Sequence, residues 1–292
     1  MDNAPFNFAR TNVALAPYTR YRIGGPARIA LFPATIVEMH EAHQWLMETG
    51  IPFIILGGGT NMLIDGRGFA GAVLFTTELK ELAPLGEHRF RVGAGCVLGE
   101  LVRQVMVPNN YSGVGALTGI PGTVGGALFM NAGTVNGSIC QLASEVALLD
   151  ERGLRTVPIN AELYGYRGQF FCTNGSVIAE GIFSFTPSNQ NETEVYEHYL
   201  RRRRETQPEG WCCGSVFKNP PGDHAGRLIE AAGLKGTRRN GAVISKKHAN
   251  FIMNENSATF DDVLYLINLV KQKVHEKFGV DLHEEVRIIF SP

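Results

Sequence analysis

Val92-Gly93-Ala94-Gly95-Cys96-Val97-Leu98-Gly99 is the stretch on which the fold turns. It imitates the glycine fingerprint of a dinucleotide-binding strand-turn-helix, but its last glycine stands one residue too far from the second. Such a turn also needs an acidic residue about twenty positions on to hold a ribose. No acidic residue occurs anywhere in 101–144, and Arg103 is the only basic one. The doubly wound reading fails on both counts. Outward from this stretch, strand-like and helix-like segments follow one another without regular βαβ alternation, which favours an α+β fold.

Upstream, apolar Met39, Ala42, Leu46 and Met47 predict a helix over 37–48, and 51–56 reads as a short buried strand. Further strands are expected at 72–75 and 90–92, with a helix starting near Leu98. Eight glycines fall within 113–137, too many for regular helix. Strands return at 146–149, 156–158 and 176–185. The polar, turn-rich 186–193 is the candidate boundary between a domain over 1–190 and a smaller one over 191–292. A helix over 192–204 ends in four arginines, which suit a helix C-terminus or, alternatively, substrate phosphates. The last helix is bounded by a Thr259/Asp262 capping box and by Gly279, with Val263, Ile267, Val270, Val274 and Phe278 on one face. A closing strand is expected at 286–289.

The bulk numbers exclude several classes. At 292 residues, 44% hydrophobic and 19% charged, the chain is too apolar for disorder and long enough for two domains. A net charge of -1, from 27 basic and 28 acidic residues, gives no basic surface for nucleic acid or membrane. The start, Met1-Asp2-Asn3-Ala4-Pro5, lacks the basic and apolar regions of a secretory signal. The uncharged stretch 111–130 holds six glycines and Pro121, which argues against a membrane-spanning helix. Five cysteines with no C-x-x-C suit small buried hydrophobes in a reducing cytoplasm, not a disulfide framework or a metal site. The 34 glycines are the anomaly, and they imply tight turns and backbone that approaches a ligand closely.

Five segments carry chemistry. Leu56-Gly57-Gly58-Gly59-Thr60-Asn61-Met62 ends a strand in exposed N–H groups that suit a pyrophosphate, although a plain tight turn reads equally well. No G-K-[ST] follows, so it is not a Walker loop. Gly119-Ile-Pro-Gly122-Thr123-Val-Gly-Gly126-Ala-Leu-Phe-Met-Asn131-Ala132-Gly133 is neutral and glycine-dense, as a flat ring system with a diphosphate requires. Tyr164-Gly-Tyr166-Arg167-Gly168 sets an arginine among aromatics, where it either stabilises a developing enolate or merely stacks on tyrosine. Gly214-Ser215-Val-Phe-Lys218-Asn219-Pro220 presents a serine on a turn with donors beside it, without the G-x-S-x-G of a hydrolase. In His283-Glu284-Glu285-Val286-Arg287, strand alternation would send only one glutamate into a site.

Taken together, these segments resemble the UDP-N-acetylenolpyruvoylglucosamine reductase family. The likeness begins at Tyr18-Thr-Arg-Tyr-Arg-Ile-Gly-Gly-Pro-Ala27, takes in Gly233-Leu-Lys-Gly236 and Ser245-Lys-Lys-His-Ala-Asn-Phe-Ile252, and ends at Glu285-Val-Arg287. It implies a vanillyl-alcohol-oxidase (PCMH-type) FAD-binding domain followed by a smaller α+β substrate domain, whose last strand returns to the active site. It implies noncovalent FAD, NADPH as reductant and a UDP-sugar substrate. On the matching positions the catalytic residues are Arg167, Ser215 and Glu285. Tyr166, Lys218 and Asn219 hold the substrate. Gly57, Gly58, Gly59, Thr60, Asn61, Met62, Gly122, Thr123, Gly126, Asn131, Ala132 and Gly133 line FAD. Gly115 stands where many members have glutamate, Gly168-Gln169 follows the arginine where a serine is common nearby, and Cys212-Cys213 precede the Gly-Ser. The shorter, second family type is implied, lacking the insertion that brings a tyrosine over the substrate.

Two alternatives stand beside this reading. An alcohol or sugar oxidase of the same flavin superfamily would often tether FAD through histidine or cysteine, yet no histidine lies between His88 and His198. An idle nucleotide-binding module would need none of Arg167, Ser215 and Glu285.

Overall fold

The computed structural model describes residues 4–173 and 175–291, so the leader-free reading of Met1, Asp2 and Asn3 lies outside the described residues. The chain forms two compact units, each assembled from three segments. The first takes residues up to Thr11, Ile29–Gly58 and Gly71–Arg203. The second takes Asn12–Arg28, Gly59–Ala70 and residues from Arg204 onward. The polar stretch at 186–193 falls inside the first unit, shortly before the chain crosses at Arg203.

In the first unit five antiparallel strands run in the order Gly153–Pro158, Ala143–Asp150, Val177–Ser184, Arg89–Gly93 and Leu82–Gly86. Val92, Val146, Leu148, Ile178 and Phe183 from this sheet share a core with Leu98, Leu101, Val114, Leu117, Val124 and Leu128. The last four correct the sequence reading, because the glycine-rich stretch contains two short helices, Val114–Leu117 and Val124–Met130. Glycine there trades helix propensity for close packing. A Cβ on Gly125 would lie 2.7 Å from the Ala94 Cβ, and one on Gly181 of the facing strand 3.0 Å from Leu128 Cδ1. Propensity loses to tertiary fit.

The helix Ile36–Thr49 starts where Thr35 accepts from the Glu38 N–H and stops at Gly50 in the left-handed region, φ 64°. Its buried Met39, Ala42 and Leu46 pack with Ala72 and Leu74. Those two belong to the strand paired in parallel with Phe53–Leu56, in the register Phe53↔Ala72 to Leu56↔Phe75.

The second unit is organised by the helix Phe260–Phe278. Thr259 Oγ1 accepts from the Asp262 N–H and Asp262 returns the bond to the Thr259 N–H, the expected capping box, and Gly279 at φ 67° ends it. Val263, Ile267, Val270 and Val274 are buried, and Phe278 packs at the edge of the same core. This face covers the antiparallel strands Arg238–Arg239, Ala242–Ile244 and Ile252–Asn254 and the helix Ala225–Ala231. Met62–Ile64 pairs in parallel with Arg287–Ile289. Among the described residues no helix is long and apolar enough to cross a membrane.

Candidate active site

Two glycine loops far apart in sequence meet in the first unit. A Cβ on Gly57 would stand 2.5 Å from Thr123 Oγ1, and one on Gly58 would stand 3.0 Å from the Gly122 Cα. Backbone bonds hold the second loop in place: Leu98 N–H donates to Gly122 O at 3.0 Å, and Val124 N–H donates to Cys96 O at 2.9 Å. Thr123 Oγ1 is buried and has no hydrogen-bond partner among the described residues, while Gly126 beside it is exposed. A buried orphan hydroxyl next to backbone that admits no Cβ fits an acceptor-rich group such as a diphosphate.

The remaining residues expected at the cofactor have these surroundings. Gly59 has φ 60°, and a Cβ there would strike Tyr18 O at 2.0 Å, within the second unit. Thr60 is half-buried, and Met62 is buried in the strand paired with Arg287–Ile289. The Asn61 amide donates to the Glu285 carbonyl at 2.9 Å. Asn131 is 4% exposed, and its amide donates to Gly165 O at 2.8 Å. Ala132 N–H bonds to Ala127 O, and Gly133 sits where a Cβ would strike Gly137 O at 2.2 Å. Both shape the turn after the helix.

In the second unit two segments run side by side. Glu285 N–H donates to Val216 O at 2.8 Å and Lys218 N–H to His283 O at 2.9 Å, with Phe217 bridged to Glu284. Ser215 and Glu285 therefore lie on adjacent backbone, both half-buried. Gly214, at φ 80°, makes the turn that presents Ser215. Asn250 fixes this turn by accepting from Phe217 N–H at 2.9 Å and donating to Phe217 O at 2.8 Å. Asn61 ties in from a third segment. The regular strand begins only at Arg287, so alternation does not assign the two glutamates. Lys271 Nζ donates to Glu284 at 2.8 Å, and Glu285 is the residue whose N–H bonds the serine segment at Val216 O. Asn219 is exposed and caps the next helix by accepting from Ala225 N–H at 3.1 Å; Lys218 is half-buried.

Cys213 lies under this turn. Burial pushes its thiol up to about 12, and burial together with the Cys213 and Cys212 thiols raises the Tyr21 phenol well above its ordinary value. Both groups stay neutral and unreactive at physiological pH.

Arg167 belongs to the first unit. It occupies a two-residue turn with Tyr166, between Tyr164–Gly165 and Gly168–Gln169, and has φ 54°. Its guanidinium stands 5.3 Å from the centre of the exposed Tyr166 ring. Of the four arginines near the end of the helix Glu192–Thr206, the structure singles out Arg203. A Cβ on Gly119 would come 2.6 Å from Arg203 Cδ, and its Nη1 reaches Thr118 O at 3.5 Å. Burial first and then the Arg167 charge hold its pKa below the usual arginine value. A helical spacing of three from Leu200, which also flanks Gly119, was the one available signal. At Gly115 a Cβ would meet Tyr199 Cε2 at 2.8 Å, so in this chain Tyr199 fills the space a glutamate would need.

A family model for an FAD binding domain matches residues 27–157, and one for the UDP-N-acetylenolpyruvoylglucosamine reductase C-terminal domain matches 207–289. A glycine cradle in one unit and a serine–glutamate pair in the other thus belong to a two-domain FAD-containing oxidoreductase of α+β class. The reductase of that name from Geotalea uraniireducens is 37% identical over 283 residues, covering 96% of this chain and 93% of the relative. One from Symbiobacterium thermophilum is 40% identical over 286 residues, covering 94% and 90%. The crystal structure of UDP-N-acetylenolpyruvylglucosamine reductase from Thermus caldophilus superposes with a TM-score of 0.83 at 32% identity, over 97% of this chain and 100% of that one. The chain belongs to the UDP-N-acetylenolpyruvoylglucosamine reductase family. A Phl p 4 variant described as a glucose oxidase, at 12% identity and a TM-score of 0.50, shares the fold alone.

Proposed function

We infer that this chain reduces UDP-N-acetyl-3-O-(1-carboxyvinyl)-glucosamine to UDP-N-acetylmuramate, with FAD as its cofactor and NADPH as reductant, in peptidoglycan precursor synthesis. The observation that carries this reading is the full-length family likeness, with Ser215 and Glu285 on hydrogen-bonded neighbouring segments. FAD, when bound, supplies hydride transfer between NADPH and the methylene carbon of the enolpyruvyl group.

The chain's own residues supply the rest. The Gly57, Gly58, Gly122 and Thr123 cradle receives the cofactor diphosphate through backbone N–H groups and the free Thr123 hydroxyl. Arg167 and Glu285 stabilise charge developing at the substrate carboxylate, and Ser215 delivers a proton to the carbon bearing the ether oxygen. Tyr166, Lys218 and Asn219 hold the nucleotide sugar. Residues 1–190 hold the cofactor and contribute Tyr166 and Arg167 to the substrate, and 191–292 supply the other substrate groups, a division in keeping with the two matched family models. The reaction runs in the cytoplasm without nucleic-acid or membrane partners, in keeping with the near-neutral net charge of -1.

One experiment tests the whole reading. The purified protein should be yellow, bleach with NADPH under anaerobic conditions, and regain colour on adding the enolpyruvyl UDP-sugar. Bleaching by a simple alcohol or sugar without NADPH, followed by recovery only with oxygen, would instead make it an oxidase.

A further inference from the structure

Asn131 is almost fully buried at the C-terminus of the helix Val124–Met130, in the left-handed region at φ 42°. Asparagine tolerates that conformation better than most residues. Both ends of its amide are used within the first unit. Nδ2 donates to Gly165 O at 2.8 Å, and Oδ1 accepts from Cys140 N–H at 3.3 Å. Gly165 is the residue just before the Tyr166-Arg167 turn, and it pairs with Gly168 just after it.

The turn needs such an anchor. Its hairpin has two residues per strand, far too few to be stable alone. It is flanked by glycines on both sides, and the space where a Gly168 side chain would lie is open. Arg167 itself sits at φ 54°, a left-handed conformation that strains a non-glycine residue and persists only where its surroundings impose it. Arg203, a like charge partly buried in the same region, pushes against it. Gln169 braces the far strand by bonding the Cys172 backbone, accepting from its N–H at 2.6 Å and donating to its carbonyl at 2.9 Å. Asn131 braces the near strand from outside the hairpin.

We propose that Asn131 is a positioning residue for Arg167, clamping the turn that presents this arginine to the helix whose other end forms the cofactor cradle. The inference rests on the role assigned to Arg167 above. It reassigns Asn131 from direct contact with FAD to holding the arginine in place.

The test is a double-mutant cycle. Asn131→Gly keeps the left-handed backbone and deletes the amide; Asn131→Asp keeps the acceptor for Cys140 N–H and deletes the donor to Gly165 O. Either variant should retain FAD and bleach normally with NADPH. Turnover of the enolpyruvyl substrate should fall roughly ten- to hundred-fold, the usual consequence of a catalytic group displaced by about an ångström. In an Arg167→Ala background the same change at Asn131 should have almost no further effect. Hydrogen exchange of the apoprotein should quicken at 164–169 in both variants while the five-stranded sheet stays protected. Equal, additive losses in both backgrounds would overturn the proposal, and flavin-poor variants would return Asn131 to the cofactor. Full activity in Arg167→Ala alone would sink the arginine's role, and the positioning role with it.

Discussion

At Gly57 and Gly58 any side chain would strike Thr123 or Gly122, whereas at Ser215 and Glu285 the side chains themselves matter and backbone bonds around Val216 set them side by side. The first region works by leaving atoms out. It offers closely packed glycine backbone and, among the described residues, one unpartnered hydroxyl. The second works by placing specific groups, each braced by an amide: Asn61 on the Glu285 carbonyl and Asn250 on Phe217. Damage to the first should therefore show as lost cofactor in a folded protein, and damage to the second as lost chemistry in a protein that still holds its cofactor.

The sharpest way to break this contrast is Ser215→Ala. Turnover with the enolpyruvyl substrate should drop about a hundred- to ten-thousand-fold, the worth of a positioned general acid. Flavin content and rapid-mixing rates of bleaching by NADPH should stay close to normal. Equal slowing of both half-reactions would make the serine structural.

A smaller effect is expected from Gly57→Val. The new Cβ must displace Thr123 Oγ1, so the FAD dissociation constant should rise roughly ten- to hundred-fold, about 1.4–2.8 kcal/mol. Absorbance at the flavin band against protein absorbance measures it, with circular dichroism confirming the fold. Undiminished flavin would remove this loop from the cofactor site.

The smallest effect separates the units by charge. In the second unit Asp65 accepts from Arg67 and, through Oδ2, from the Ser291 N–H, and these contacts, led by the Arg67 hydrogen bond, lower its pKa to about 2. A depressed carboxylate stabilises the fold fully above its unfolded value of about 3.9 and loses that contribution as pH falls toward about 2. Asp65→Asn should thus cost only about 1 kcal/mol at pH 7, since the Arg67 partner is solvent-screened. The gap between the two proteins in denaturant melts should close by pH 2. A gap that persists in acid would show that Asp65 acts by shape and not by charge.

Much of this was legible in the residues. The Thr259/Asp262 cap and the Val263, Ile267, Val270, Val274 stripe are local signals, and they gave the last helix nearly to the residue. The glycine loop after Leu56 reads equally as a pyrophosphate nest or a plain tight turn, and its approach to Gly122 and Thr123 is a tertiary contact that no local signal carries. The helix Val124–Met130 did not, because Gly125 is helical for the sake of Ala94, a partner far off in sequence. The bracing roles of Asn131, Asn61 and Asn250 were hidden for a similar reason. An amide's partner is set by tertiary placement, and nothing in a lone asparagine points to a carbonyl more than 30 residues away. Strand alternation could not sort Glu284 from Glu285, since the regular strand begins only at Arg287 and the Lys271 partner of Glu284 lies on a neighbouring helix.

The parallel pairing of Met62–Ile64 with Arg287–Ile289 also has a temporal side. During synthesis the early strand leaves the ribosome long before its partner exists, and so do Tyr21 and Ile23, which join the same late core. The first unit has all three of its segments once Arg203 has emerged. The second must wait for residues 287–289, its apolar early pieces exposed to chaperones and proteases in the interval. Completion of the serine–glutamate unit is thereby tied to a strand made more than 200 residues after its partner, and a chain interrupted between them can have its cofactor cradle without its chemistry.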